Sequence, residues 1–382
     1  MKIVQFVREI GFGGGVSVVA KELENEFKKN GLEVGRFTLS DVVPSKKDEV
    51  TLEQKSLVIK KLKLFRDVFQ FSFLGALKAK RRYKRQIDTI SIVHNDIMFG
   101  DIYINHGLHI DMLTSSKSPL WMLIRNPIHP FLIFREWLRH KLKIHSAIIC
   151  FCKNDAERFS KFYPSVRDRI HIIPNGINLD IYKSDLTIRQ EYRNSLGYKE
   201  DDFCLIFIGH EFERKGLRFI IDALCELELR VKLIVVGGGS TDAVDKYKAY
   251  CKKKGVADRV NFLGVRTDVP YIINASDLFV LPSSYETWAL VGLESMATKK
   301  PVLMHPTGGI SDYLVDGKNG FNIDLNKESI VEKVNELLTN PSLYNDMCNE
   351  ALATSKIYSW DRIAAMYLDL FVSIRNKKII NE

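Results

Sequence analysis

Two glutamates eight positions apart, Glu286 and Glu294, lie in the most suggestive stretch of the chain. If a helix begins just after the first of them, the two carboxylates lie about two helical turns apart. They could then accept hydrogen bonds from different hydroxyls of one extended ligand. At such a helix start, the amides of Thr287 to Ala289 would open toward that ligand. Two unrelated surface glutamates are the alternative.

Two adjacent cations, Arg214 and Lys215, occupy a loop that runs from Gly209 to Gly216. The loop follows an apolar run at 204–208 and precedes a helical pattern. Arginine binds phosphate through a forked contact and lysine binds it as a point charge, so the pair could neutralise a diphosphate. The alternative is a solvated surface pair.

A glycine-rich segment, Gly11 to Gly15, follows the first apolar run of the chain. Glycines let the backbone approach an anion closely, and a helix N-terminus behind them adds a favourable dipole. The spacing is not a G-x-G-x-x-G motif followed by an acidic residue, so a dinucleotide site is only weakly indicated. A tight turn is the alternative.

His106 ends a predicted strand at 101–105, and His94 and His109 are close to it in sequence. A neutral imidazole can share a proton with a sugar hydroxyl near neutral pH. No carboxylate–histidine pattern accompanies the three histidines, so the sequence does not favour a metal site.

Apolar runs alternate with amphipathic segments along the chain, which predicts an α/β protein with parallel sheets and right-handed crossovers. Two such series of about 175 residues predict two doubly wound domains joined near residues 174–184. Several boundaries are specific: a strand at 33–39, a helix after Pro130, and a strand at 204–208 followed by a helix at 217–227.

Composition excludes several classes of protein. The 382 residues are 46% hydrophobic and 27% charged, which is typical of a soluble protein and not of a disordered, collagen-like or disulfide-scaffold chain. Of the net charge of +9, residues 1–180 contribute +11 and the remainder −2. This asymmetry favours an anionic partner for the first half, namely nucleic acid, an anionic membrane or a phosphorylated substrate, or else a solvated basic face.

Residues 55–85 combine eleven lysines and arginines with one acid, Asp67, and many apolar residues. This pattern predicts one or two basic amphipathic helices, which bind anionic membranes through apolar insertion and charge. The alternative is ordinary helices that pack on a sheet. The segment has neither aromatic stacking positions on strands nor a zinc or helix-turn-helix signature, so nucleic acid is not the expected partner.

Targeting signals and disulfides are not indicated by the sequence. The first eight residues are too short an apolar stretch for a signal peptide, and no window reaches 18 apolar residues. The six cysteines form no C-x-x-C pair and several lie in apolar runs, which is typical of buried thiols in a reducing compartment. We therefore expect a cytoplasmic protein, peripheral on the inner face of the membrane if residues 55–85 bind lipid.

Taken together, these motifs resemble the retaining, nucleotide-sugar-dependent glycosyltransferases of family 4, which have the GT-B fold. The resemblance covers about 370 residues. It rests most strongly on the E-x7-E element from Glu286 to Glu294 and the Ser295-Met296-Ala297 that follows. Supporting motifs are Arg214-Lys215-Gly216, Pro174-Asn175-Gly176, Thr307-Gly308-Gly309, Asp316-Gly317-Lys318-Asn319-Gly320 and Tyr358-Ser359-Trp360.

The resemblance implies two Rossmann-like doubly wound domains that face a central cleft. Residues 1–175 would bind the acceptor, with a C-terminal helix at 360–382 crossing back to them, and residues 176–359 would bind the donor. Glu294 would hold the ribose hydroxyls, and Glu286 the transferred sugar. Catalysis would involve Glu286, His106, Arg214 and Lys215. The donor would also contact Gly14, Gly15, Gly209, Arg266, Thr287, Trp288, Ala289, Leu290 and Val291.

The implied reaction transfers a hexose or N-acetylhexosamine from a nucleotide-sugar, for which a UDP-sugar is expected, to a glycan or lipid-linked acceptor in cell-surface polysaccharide or lipopolysaccharide biosynthesis. No metal or other cofactor is required. The alternatives are transfer to a soluble acceptor and, in a different class, a non-catalytic protein that binds anionic membranes or nucleic acid. One departure stands out: the family commonly has Pro-Phe-Gly where this chain has Thr287-Trp288-Ala289. Ala289 lacks the backbone freedom of glycine and Trp288 fills more space, so sugar choice is expected to differ from that of close relatives.

Overall fold

The structure is a computed structural model that describes residues 1–10, 15–43, 57–84, 86–114, 120, 123–124, 128–238 and 241–380. The chain forms two compact units. The first comprises residues 1–174 together with 360–382, and the second comprises residues 175–359.

The first unit is built on a six-stranded parallel sheet with the strand order β2-β1-β3-β4-β5-β6. Its strands are β1 (Lys2–Phe6), β2 (Glu33–Phe37), β3 (Thr89–His94), β4 (Ile102–Ile104), β5 (Ala147–Cys150) and β6 (Ile170–Ile172). Its described helices are α1 (Gly15–Lys29), α2 (Leu39–Val42), α3 (Leu57–Tyr83), α4 (His109–Thr114), α5 (Ile128–Lys141), α6 (Lys153–Phe162) and α15 (Trp360–Ile380).

The second unit repeats this design, with the strand order β12-β11-β10-β7-β8-β9. Its strands are β7 (Phe203–Ile208), β8 (Val231–Val236), β9 (Val260–Gly264), β10 (Leu278–Leu281), β11 (Val302–Met304) and β12 (Gly320–Asn322). Its described helices are α7 (Leu186–Ser195), α8 (Leu217–Leu224), α9 (Thr241–Lys254), α10 (Val269–Ala275), α11 (Leu290–Ala297), α12 (Ile310–Tyr313), α13 (Lys327–Thr339) and α14 (Pro341–Ile357).

The central strands are buried on both faces, which explains why they are continuous apolar runs rather than alternating ones. Every residue of β3 is buried, as are the last five of β7. Parallel strands flanked by helices on both sides require apolar side chains at successive positions. The apolar runs in the sequence therefore predict these strands.

Both sheets contain a point where the strand order reverses. In the first unit β1 is flanked by β2 and β3, and in the second β7 is flanked by β8 and β10. The loops after the two central strands leave in opposite directions at such a point, which opens a crevice at the carboxyl ends where ligands bind. The loops after β1, β3, β7 and β10 are therefore the first places to look for a site.

Helix α15 follows the second unit in sequence but packs in the first. Phe371 and Tyr367 place their ring centroids 5.1 and 6.0 Å from that of Phe27 on α1. Arg375 pairs with Asp88 at the start of the sheet, with Nη2 and Oδ1 2.6 Å apart. Aromatic packing and a peripheral ion pair thus fix the C-terminal helix on the first unit.

Some predicted boundaries are wrong, for identifiable reasons. Helix α5 begins at Ile128, before the predicted start, and places Pro130 in its first turn, where no amide partner is needed. The prediction of one or two helices within 55–85 is met by the single helix α3. The strand predicted at 33–39 ends at Phe37, because the chain turns into α2. Helix α8 ends at Leu224, before the predicted end at 227, because the amide of Cys225 bonds back to the carbonyl of Asp222. The cysteines are buried as expected except Cys225, which is exposed.

Helix α7 has no counterpart in the sequence-based prediction, because it lacks an apolar stripe. Its N-cap Asp185 accepts a hydrogen bond from the amide of Ile188. Arg189 and Arg193 both bind the carboxylate of Asp277, at 2.5 and 3.2 Å. A cap and long-range ion pairs therefore position this helix. In the described part of the chain, no helix is both long enough and apolar enough to cross a bilayer.

We expect Phe371→Ala to lower the stability of the first unit by about 3–5 kcal/mol, because it empties a fully buried aromatic site between α1 and α15. Val372 on the same helix is 55% exposed, so Val372→Ala should change stability by less than about 0.5 kcal/mol. Urea unfolding followed by circular dichroism measures both. Equal effects of the two substitutions would contradict the packing described for α15.

Candidate functional site

The loops after β7 and β10 meet through one carboxylate. Glu286 Oε1 lies 2.7 Å from Lys215 Nζ and 3.4 Å from Arg214 Nη1. The side chains of Lys215 and Glu286 are only 13% and 11% exposed, so this ion pair is largely shielded from water. The structure thus brings together three residues that the sequence predicted from separate loops.

Backbone contacts hold the same two loops side by side. Arg214 donates to the carbonyl of Tyr285, and its own carbonyl accepts from the amide of Ser284 at 3.0 Å. Gly216 has a φ of +75° and lies so close to the carbonyl of Pro282 that a Cβ would overlap it. Gly209 leaves room for the Lys215 stem in the same way. Close approach to backbone therefore requires glycine at 216, whereas at Gly209 the space is taken by a flexible side chain.

Two cations face two acids at this cluster, and only one of the acids is largely buried. Arg214 also binds Glu211, with Nη2 and Oε2 2.7 Å apart, but the Glu211 side chain is 66% exposed and its contribution is screened by water. Glu286 is therefore the main buried counter-charge for two cations. An incoming diphosphate would add buried negative charge and compete with Glu286 for the same donors.

Glu294 lies on α11 and accepts a hydrogen bond from the side chain of Tyr182. Burial raises the pKa of Glu294 to about 7, and the hydrogen bond from Tyr182 lowers it only partly. Nothing in the residue type or spacing of Tyr182 pointed to this partnership, because Tyr182 lies in the linker that precedes α7. The carboxyl can therefore accept a proton or a hydroxyl hydrogen bond near neutral pH.

The start of α11 has an unusual backbone. Ala289, its N-cap, has φ 53° and ψ 64°, a left-handed conformation that costs a residue other than glycine about 1 kcal/mol or more. Tyr313 Oη donates to the Ala289 carbonyl at 3.0 Å and holds it in place. The amides of Thr287 to Ala289 precede the first turn of this helix, where donors have no intrahelical partner. Leu290 and Val291, its first residues, are partly buried.

Trp288 lies inside the second unit. Its side chain is only 3% exposed, and its ring centroid lies 5.6 Å from that of Tyr313 and 5.5 Å from that of Tyr358. The expectation that its bulk alters sugar choice by filling the ligand space is therefore not supported by the position of the ring. Its bulk instead explains Gly309, where a Cβ would overlap the indole.

Arg266 lies at the carboxyl end of β9 and not within the Glu286 cluster. Its guanidinium binds Asp268, with Nε and Oδ1 2.7 Å apart. Backbone contacts connect this edge to the cation loop, since the amide of Gly237 donates to Gly264 at 2.7 Å and Gly237 abuts Gly209. The predicted place of Arg266 beside a nucleobase stays a prediction.

The first unit contains the remaining predicted residues. Gly15 is the first residue of α1 and has open space where a Cβ would be, whereas Gly14 lies outside the described residues. His106 Nε2 lies 3.1 Å from His94 Nδ1, and burial lowers the pKa of His106 to about 3. His109 instead lies beside Glu136, with Nδ1 and Oε2 3.6 Å apart.

A cavity of about 460 Å³ lies next to these histidines in the first unit. Its polar wall includes Arg8, Asp96, His109 and Arg135, and its apolar wall is formed by Leu64, Val68, Ile128 and Leu132 from α3 and α5. Asn95 also lines it, with a left-handed φ of 68°. Within the described residues, Asn95 Oδ1 and Arg135 Nε are buried without a hydrogen-bond partner. The cavity thus combines an apolar side with a polar side that carries charges of both signs.

Two family models match the chain in succession. Residues 13–181 match the model described as Glycosyltransferase Family 4, and residues 188–353 match the one described as Glycosyl transferases group 1. The chain belongs to the family 4 glycosyltransferases. The resemblance inferred from the E-x7-E element and its supporting motifs is thereby confirmed at the level of the family.

Curated relatives of this family 4 glycosyltransferase match part of its length. A D-inositol 3-phosphate glycosyltransferase of Xylanimonas cellulosilytica is 29% identical over 61% of this chain and 58% of that protein. The lipopolysaccharide glucosyltransferase WaaG of Escherichia coli K12 is 32% identical over 48% of this chain and 51% of its own. The chain therefore spans about half to three-fifths of the length of these relatives.

Solved structures match over nearly the whole chain. A crystal structure of WaaG has a TM-score of 0.76 at 20% identity, covering 97% of this chain and 99% of that one. Anabaena Alr3699/HepE, solved in complex with UDP and glucose, has a TM-score of 0.71 at 18% identity, covering 98% and 100%. The predicted GT-B fold of this family 4 glycosyltransferase is confirmed.

The raised pKa of Glu294 predicts a pH-dependent stability of the second unit. As the pH rises from about 4.5 to 7, the unfolded chain releases a proton that the folded chain retains, so stability falls by about 2–3 kcal/mol through this window. Glu294→Gln has no such proton and should show no loss from this source. Urea unfolding at several pH values measures the difference between the two proteins, and parallel pH curves would contradict the assignment.

Proposed function

We propose that this protein is a retaining glycosyltransferase that transfers a hexose or N-acetylhexosamine from a nucleotide-sugar, a UDP-sugar above all. The proposed acceptor is a hydroxyl of a glycan or of a lipid-linked molecule. The proposed role is in cell-surface polysaccharide or lipopolysaccharide biosynthesis. The observation that carries this proposal is the shielded cluster of Arg214, Lys215 and Glu286 beside the β7/β10 reversal. The two cations match a diphosphate in charge. When they bind it, the Glu286 carboxylate that they share becomes free to contact the sugar.

The cluster supports a transfer without metal. The bond between the anomeric carbon and the β-phosphate oxygen breaks, and the acceptor oxygen bonds to that carbon on the same face. The acceptor proton passes to the departing phosphate. Arg214 and Lys215 stabilise the charge that builds up on the diphosphate, which is the role a metal ion would otherwise have. Glu286, released from the cations, orients the sugar hydroxyls.

The proposed donor is supported by relatives and by the second glutamate. HepE was solved with UDP and glucose, and WaaG is described as a glucosyltransferase. In this chain Glu294 offers a partly buried carboxyl one turn into α11, suited to a ribose diol. Transfer to a soluble acceptor is the alternative, and these donor-side residues do not distinguish it from the main proposal.

The acceptor is proposed to occupy the cavity of the first unit. Its polar wall offers the Asp96 carboxylate to hydroxyl donors and the Arg8 guanidinium to an acceptor oxygen. The opposite wall comes from α3 and α5 and is apolar. A sugar with an attached lipid satisfies both walls, whereas a fully hydrated sugar leaves the apolar wall uncovered.

The outer faces of α3 and α5 support a peripheral membrane contact. The ring of Phe131 on α5 packs against three rings on one face of α3, with centroid distances of 5.4–6.1 Å to Phe65, Phe69 and Phe73. Exposed apolar side chains remain on both helices, namely Leu62, Phe69, Leu74 and Leu77 on α3 and Phe134 and Trp137 on α5. Lysines and arginines flank them, and Lys141 Nζ lies 4.4 Å from the Trp137 ring centre. Such surfaces bind anionic bilayers.

Donor binding tests the proposed function directly. A UDP-, GDP- or ADP-sugar that binds only the folded protein should raise its melting midpoint, and EDTA should not change that shift. Glu294→Ala should abolish it, because the carboxylate that receives the ribose is gone. Glu332→Ala, which removes a glutamate whose side chain is 70% exposed in the same unit, should retain it. A shift that survives in Glu294→Ala would overturn the role of Glu294, and a shift with none of the sugars would overturn the proposed function.

Vesicle binding tests the membrane surface. The double variant Phe134→Ser, Trp137→Ser should bind vesicles of one-third anionic lipid at least about tenfold more weakly, because each buried apolar side chain contributes about 1.5–3 kcal/mol. The matched control is Leu186→Ser, Leu229→Ser, which replaces two leucines of the second unit that are both 79% exposed. Equal binding by both double variants would contradict the assignment of α5.

A further inference from the structure

Three side chains of the first unit form a continuous hydrogen-bonded row at its strand-order reversal. Gln5 on β1 has its Oε1 2.8 Å from Nε2 of His94, the last residue of β3. The other ring nitrogen of His94, Nδ1, lies 3.1 Å from His106 Nε2. Gln5 and His94 are 0% and 1% exposed, whereas His106 is partly exposed at the outer end of the row.

The direction of every hydrogen bond in this row is fixed by its inner end. Gln5 Nε2 lies 2.8 Å from the carbonyl oxygen of Ala20. A carbonyl only accepts, so the amide nitrogen of Gln5 must face it, and Gln5 Oε1 must accept from His94. His94 therefore donates from Nε2. Because a neutral imidazole carries one N–H, His94 Nδ1 is an acceptor and His106 must donate to it from Nε2.

Both imidazoles are neutral in this arrangement. Burial lowers the pKa of His94 well below its ordinary value, and the neighbouring His106 lowers it further. Burial also lowers the pKa of His106, against the weaker opposing charge of Asp96. The ring of His106 is further held by edge-to-face packing on Phe151, with centroids 5.3 Å apart. The ring nitrogen of His106 that the row does not use is Nδ1, and in this tautomer it carries a lone pair that can accept a hydrogen bond.

We propose that Gln5 and His94 are positioning residues that lock His106 in its Nε2–H tautomer, so that its Nδ1 accepts a hydrogen bond from one hydroxyl of the donor sugar. This inference rests on the proposed function for the identity of the ligand, but the tautomer follows from the row alone. A locked acceptor selects a sugar that presents a hydroxyl proton at that position, and a deoxy sugar would leave the lone pair unsatisfied.

The tautomer of His106 is measured without any assay of activity. Two-bond proton–nitrogen correlation spectra of protein labelled with ¹⁵N-histidine distinguish protonated from unprotonated ring nitrogens. At neutral pH we expect both His94 and His106 to carry the proton on Nε2, with the His106 signals assigned by their loss in His106→Ala. A proton on Nδ1 of His106 would overturn the inference, whatever the protein catalyses.

The positioning role is tested with Gln5→Met, which keeps the length of the side chain and removes its amide. Without the acceptor for His94 Nε2, the row loses its fixed direction, and His106 should show a mixture of tautomers. Affinity for the sugar-nucleotide should fall about three- to tenfold, while affinity for the free nucleoside diphosphate stays unchanged, since only the sugar meets His106. Gln86→Met, at an exposed glutamine of the same unit, is the matched control and should change neither.

The outcomes separate this inference from the proposed function. Unchanged tautomers and unchanged sugar-nucleotide affinity in Gln5→Met would overturn the positioning role, while donor binding by the unaltered protein would still stand. A failure of the proposed function appears instead as a lack of donor binding in the unaltered protein. If Gln5→Met lost affinity for the nucleoside diphosphate as well, the effect would be one of general structure, and the positioning role would be overturned.

Discussion

A single carboxylate holds two loops of the second unit together. Glu286 reaches Lys215 and Arg214 because β7 and β10 are neighbours, and they are neighbours only because the strand order reverses between them. Without ligand, this carboxylate keeps two cations from repelling each other in a shielded place. The position of the Glu286 side chain therefore depends on the sheet topology and the loop geometry, and its charge balances the two cations.

The strands could be predicted because parallel sheets covered on both faces require unbroken apolar runs, as in β7 and β8. Helix α7 could not, because the groups that fix it are far away in sequence: Arg189 and Arg193 bind Asp277, more than eighty residues later. Boundaries failed where a local backbone event decided the end of an element, as at the last turn of α8. The spacing of apolar residues predicts which positions are buried, but it does not predict long-range ion pairs or the backbone hydrogen bonds that end a helix.

The same distinction applies to the site. Arg214, Lys215 and Glu286 could be predicted because each follows an apolar run that ends at the ligand-binding edge of a sheet. Tyr182 and Gln5 could not, because a tyrosine in a linker and a glutamine inside a strand are ordinary residues until their partners are known. Trp288 was predicted near the donor, and its residue type gave no sign that the ring packs inward against Tyr313. Chemistry-bearing residues are visible in sequence, whereas the residues that orient them are visible only in three dimensions.

The left-handed alanine at the start of α11 has an energetic consequence. Glycine at this position would relax the backbone but would also let it sample other conformations before a ligand arrives. Ala289 has fewer conformations, and Tyr313 and the packed indole of Trp288 hold it in a strained one. The conformational entropy of this loop is thus lost when the protein folds, so a ligand that bound there would not have to order it. Such a loop is a rigid template, and a ligand that docked on it would meet a surface already in place.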